Sequence, residues 1–135
     1  MKTVQSPSGQ LLAKHITTED IKDGLGFFSD DADFIQVGTW RYEAGKDLLA
    51  HQHNLVERTV KRTQEVLVIQ KGSIQASIFD EDEPHSLLDR FVVKQGEILV
   101  LLNGAHGYKI LEDGTQVVEI KNGPYLGAEV DRVRI

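Results

Sequence analysis

The chain has 135 residues, 15 Lys and Arg against 21 Asp and Glu, a formal charge of −6, and no cysteine. That length suits one domain around one core, and 40% hydrophobic residues is enough to fold it. Disulfides, thiolate nucleophiles and Cys-ligated zinc or iron–sulfur sites are excluded, and the acidic balance argues against nucleic acid as a partner.

In chain order, residues 1–10 are polar, so a secretory leader is not expected there and the first few residues are expected to be loose. A short helical turn is expected from Thr18 toward Gly24, with Thr17 or Thr18 as its cap. Asp30, Asp31 and Asp33 are expected in a solvated loop. Strands are then expected at 34–42 (FIQVGTWRY), 47–53 (DLLAHQH), 65–70 (EVLVIQ), 73–79 (SIQASIF), 87–94, 97–102, 107–111 and 116–121. Turn residues separate them, among them Gly45, Gly72, Gly96, Gly104 and Gly114. Short strands at this spacing indicate an all-β sandwich or barrel. The longest apolar run, 98–102, is far below the roughly 20 residues that span a bilayer, so no membrane partner is expected. The expectation is a soluble, cytoplasmic, single unit over 1–135, with its core at about 34–121 and both ends packing on it.

His51-Gln52-His53 is the first residue group that carries chemistry. On a strand, residues i and i+2 share a face, so two imidazoles can converge on one cation. Two more features follow. Gly45 stands before the pair and Glu65 opens EVLVIQKG; Gly96 opens GEILVLL, which ends in the turn NGAHG carrying His106. This order resembles the two-part signature of the cupin superfamily, Gly-x5-His-x-His with Glu-x6-Gly, then Gly-x5-Pro-x-Gly-x2-His.

The resemblance spans residues 38 to 120. It implies a double-stranded β-helix, the jelly-roll barrel of the cupin type, in which His51, His53, Glu65 and His106 hold one divalent transition metal. Three imidazoles and a carboxylate suit Fe, Mn, Ni, Co or Zn. The sequence departs from the signature in two places. An eleven-residue segment, 54–64, separates His53 from Glu65, where the family has three or four residues. Leu102 also stands in place of the usual proline, and only Ala105 separates Gly104 from His106. Glu57 has the family spacing but lies in a polar run; Glu65 heads a strand and is favoured.

Tyr108 lies two residues after His106 and shares its face on a regular strand. It is the candidate proton donor to a bound substrate, against the simpler role of filling the interior. Arg41 and the basic loop group with Arg58 and Arg62 are candidate anion contacts. His15 and His85 are expected to be ordinary structural residues. The tail, K-x-G-P-Y-x-G-x-x-x-D-R-x-R from Lys121 to Arg134, is similar to that of small cupins that accompany nucleotide-sugar and polysaccharide synthesis.

The resemblance therefore implies a metal-binding protein for a small polar or anionic molecule, a sugar or sugar derivative among the candidates, and a homodimer. If it is an enzyme, a dioxygenase, isomerase or lyase fits equally. A non-catalytic sugar-binding protein remains open. So does a metal-independent epimerase or isomerase, with His106 and Tyr108, or His53 and a tyrosine, as acid and base.

Overall fold

A computed structural model describes residues 1–135. Ten antiparallel strands make up nearly all of its regular structure: β1 (Lys2–Gln5), β2 (Leu11–Ile16), β3 (Gly24–Phe27), β4 (Gly38–Arg41), β5 (Glu65–Lys71), β6 (Ser73–Phe79), β7 (Leu87–Lys94), β8 (Ile98–Leu101), β9 (Ala105–Ile110) and β10 (Gln116–Lys121). A single 3-10 turn, Thr18–Asp20, and one helical turn, α1 (Ala128–Asp131), complete it. Asp20 accepts from the backbone and side chain of Thr17, which closes the short turn at its N-terminus.

The strands form three sheets: β1-β2-β8-β5-β10, β7-β6-β9, and the two-stranded ribbon β3-β4. The first two share one core. Leu67, Ile69, Leu99 and Leu12 from the larger sheet meet Ile74, Ala76, Ile78 and Val93 from the smaller. Alternation explains which residues arrive there: odd positions of β5 and β8 and even positions of β6 face the gap between sheets. The other face of the large sheet is also covered, by Phe28, Ile35 and Val37 over Val66, Val100 and Ile16. Burial on both faces is why β5 and β8 read as continuous apolar runs rather than as alternating ones.

Between the two main sheets, one side is closed. There β1 lies against β7, with Lys2 Nζ 2.6 Å from Asp89 and 4.5 Å above the Phe91 ring. On the other side the wall is open, because β9 and β10 are both unpaired edges. The all-β expectation therefore stands as two packed antiparallel sheets, and no closed barrel is formed.

Four expectations are corrected. The start of the chain is not loose: β1 pairs with β2, and β2 lies between β1 and β8 with Leu12, Ala13 and Ile16 fully buried. The core therefore begins well before residue 34. Strand 34–42 is reduced to β4, while Val37 is buried beneath the large sheet. Strand 47–53 does not form. Residues 42–64 contain no strand, and every residue from 41 to 62 is exposed. No sheet edge runs beside this segment to satisfy its peptide groups, so they face solvent. The loop of Asp30 and Asp33 is not simply solvated, since the buried Lys14 ammonium donates to Phe28 O at 2.6 Å and lies 3.5 and 3.9 Å from these two carboxylates.

Candidate functional site

The open side of the core carries a chain of charged groups. Glu65 begins β5 and points between the sheets, as Leu67 and Ile69 do. Lys121 is its cross-strand partner on β10, and Glu119 stands opposite Leu67. His106 and Tyr108 occupy β9, paired with Ile78 and Ala76 of β6. Glu65 Oε2 lies 3.4 Å from His106 Nε2, across the two sheets. Lys121 Nζ lies 2.9 Å from Glu65 Oε1 and 2.9 Å from Glu119 Oε1.

Glu65 is a buried carboxylate with only 12% of its side chain exposed. Burial pushes its acid up, but the hydrogen bonds and charges of His106 and Lys121 outweigh that and hold it down at about 2. The Lys121 ammonium is correspondingly held well above the usual lysine range by its two carboxylates. Burial, reinforced by the Glu65 and Glu119 charges, pushes the Tyr108 phenol far up, so it keeps its proton. Tyr108 thus stands as a hydrogen-bond donor and not as a base. Its ring centroid is 5.5 Å from that of His106. Beside this cluster, Leu67, Ile74, Tyr108, Ile110, Val117 and Glu119 line a cavity of about 210 Å³. A larger cavity, about 520 Å³, lies elsewhere, where Val133–Ile135 cross the turn at Glu83–His85.

Of the four expected donors, the structure brings Glu65 and His106 together. His51 and His53 lie on the exposed segment 42–64, their rings edge to face with centroids 5.2 Å apart. No group of three or more His, Asp or Glu side chains is gathered in metal-holding geometry. The i, i+2 argument fails here because it needs a strand, and none forms at 47–53. Glu57, the alternative ligand, lies on the same exposed segment.

The arginines are dispersed. Arg41 Nε donates to Asp23 at 2.7 Å on the outer ribbon. Arg58 is exposed on the segment and reaches only Val56 O, at 3.3 Å. Arg62 is fastened to Glu81 and donates to Asn103 Oδ1 at 3.1 Å, beside the turn that leads to His106. His15 pairs with Glu97 at 2.8 Å and stacks on Phe91, and His85 lies at the β6–β7 turn near Glu83.

Lys121 and Glu119 escaped the sequence reading. The signal was there: in QVVEIK, two charged residues share the alternating face of Val117, in a strand otherwise built of apolar residues. The class these features define is an all-β protein of two packed antiparallel sheets, with a polar cluster on its open side. No family model, curated protein or solved structure matches the chain.

Proposed function

We propose that the chain is a small protein of the cupin type, with an incomplete jelly roll in this form, that binds a small polar or anionic molecule on the open side of the core. The observation that carries the reading is the Glu65–His106 pair. Two side chains 41 positions apart, from two different sheets, meet 3.4 Å from each other beside a cavity. A sugar or sugar derivative suits the setting, because apolar walls from Leu67, Ile74 and Val117 stand beside Glu119 and the protonated Tyr108 hydroxyl.

The donor chemistry fits a divalent transition metal in part. Glu65 and His106 would hold it from the sheets, and His51 and His53 would complete the set from segment 42–64. Such an ion supplies a Lewis acid for polarising a bound ligand. The protein's own groups then divide the work: Tyr108 donates a hydrogen bond, Glu119 accepts one, and the sheet faces exclude water. Lys121 opposes the ion, since its ammonium already holds one oxygen of Glu65.

That same ion pair favours a second reading, a metal-independent protein in which His106 moves the proton and Tyr108 orients the ligand. Titration of untagged, chelator-treated protein with Mn, Fe, Ni, Co and Zn decides between them. The metal reading expects one ion per chain, loss of binding in His106→Ala and Glu65→Gln, retention in Glu57→Ala, and tighter binding in Lys121→Met. Absence of affinity for all five ions, with sugar binding retained, would overturn it in favour of the second reading.

A further inference from the structure

We propose that segment 42–64 and the β3-β4 ribbon form an exchange arm, and that the arm of one chain covers the open β9 and β10 edges of a second copy of the same chain. The first argument is area. A folded monomer of 15.1 kDa is expected to expose about 7,100 Å². This chain exposes 9579 Å². The excess, about 2,500 Å² per chain, gives about 5,000 Å² for two chains, within the range of obligate homodimers.

The second argument is that the arm exposes large apolar side chains and has a matching surface. On segment 42–64, Leu49 is 88% exposed and Leu55 fully so. On the ribbon, Leu25 pairs directly with Trp40 and Phe27 with Gly38, so the three large side chains share one face. Gly38 has no Cβ, and the Phe27 ring occupies the space where one would stand. Trp40 and Phe27 are both 61% exposed, in a two-stranded ribbon that is marginal by itself in water. The complementary surface is the open side of the core, with two rows of unpaired peptide groups and exposed Ile110 and Val117.

The third argument selects a second copy over closure within one chain. The arm has two apolar parts, and the open side has two edges. Folding segment 42–64 back onto its own β9 covers one edge and leaves the Leu25, Phe27 and Trp40 face bare. A two-fold exchange covers both parts on both chains, because each arm finds the same open side on its partner. The arm is also fixed at its base and free along its length. Gln64 N donates to Asn122 Oδ1 at 2.6 Å, its Oε1 accepts from Ile35 N at 3.0 Å, and Thr63 donates to Asp131. From residue 62 back to 41 every residue is exposed.

One consequence rests on the metal-centre reading above. In the exchanged dimer, His51 and His53 of one copy approach Glu65 and His106 of the other, so the centre is built from two chains.

The test uses the full chain. Native mass spectrometry and light scattering at micromolar concentration are expected to give twice 15.1 kDa. A monomer throughout that range overturns the proposal. Isotopically heavy and light chains, refolded together and treated with an amine cross-linker, are expected to link Lys46 or Lys61 of one isotope to Lys109 or Lys121 of the other. The same links found only within one isotope mean closure within a chain, and overturn the exchange; so does their absence. Trp40→Glu with Leu55→Glu is expected to weaken dimerisation roughly tenfold or more, with the far-ultraviolet β-sheet spectrum unchanged. An unweakened dimer overturns the arm's role. If the paired variant does not fold, the cross-links of the unaltered chain decide. A dimer with the expected links but no affinity for any divalent ion supports the exchange and sinks the metal centre.

Discussion

Glu65 shows how one buried carboxylate ties the site to the stability of the fold. Its acid lies at about 2, against an ordinary value of 4.5. A depressed folded value means that the carboxylate stabilises the protein fully above pH 4.5. That contribution is lost as pH falls through the folded value near 2. The shift corresponds to at most about 3 kcal/mol. Lys121 has the opposite sign: its folded value is raised, so its contribution is full below 10.5 and fades only as pH rises past the usual lysine range. Lys121→Met should therefore lower stability by about 1–3 kcal/mol at pH 7 and by much less at about pH 2, where the Glu65 carboxylate takes up its proton, since the buried carboxylate loses its nearest cation. Urea unfolding of both proteins at the two pH values checks this. Equal loss at both would show that Lys121 acts by packing and not by charge.

At the scale of elements, the turn between β8 and β9 decides where His106 stands. Gly104 has φ +72°, and a Cβ there would lie 2.6 Å from Phe79 O and 3.3 Å from the buried Leu12. The neighbouring Asn103 amide donates to Leu11 O at 2.8 Å, which fastens the turn to β2. Gly104→Ala should cost about 2 kcal/mol or more, combining a left-handed conformation with a backbone clash. Thermal unfolding checks the loss, and a shifted His106 imidazole signal in nuclear magnetic resonance checks the displaced turn. A variant as stable as the parent would show that the turn relaxes freely.

The same elements show what was legible in the sequence. β6, β7 and β10 fell at the boundaries that alternation and turn residues predict, because a strand covered on one face writes its partner surface into its own pattern. β1, β2 and β3 were missed. KTVQ and GLGF are too short and mixed to stand out, and LLAKHI carries a lysine at a buried position that only the paired loop of Asp30 and Asp33 makes tolerable. The site divided along the same line. Glu65 lies on β5, paired on both sides, and His106 on β9, paired with β6, so both side chains are held by a ladder and stand 3.4 Å apart. His51 and His53 have strand-like residues around them but pair with no strand, and periodicity cannot report whether a neighbour is there to pair with.

For the whole molecule, the question is how a chain of this size remains folded with only 21 of its 135 residues buried. A two-sheet core held by Leu12, Leu67, Ile78 and Leu99 supplies the base. An uncovered arm and two free edges take from it, through exposed apolar area and a hazard of indiscriminate pairing. If a second copy covers these surfaces, folding and association become one equilibrium, and stability depends on concentration. Two chains unfolding together release roughly 0.6 kcal/mol per kelvin of entropy at the midpoint, so each tenfold rise in concentration should raise Tm by about 2–3 °C. Scanning calorimetry from about 1 to 100 µM thus expects a total rise of about 5 °C. The Trp40→Glu, Leu55→Glu protein, with the arm's apolar grip weakened, should show a smaller rise over the same range. A flat Tm in the unaltered chain would mean that the two-sheet core stands alone, with its arm in water.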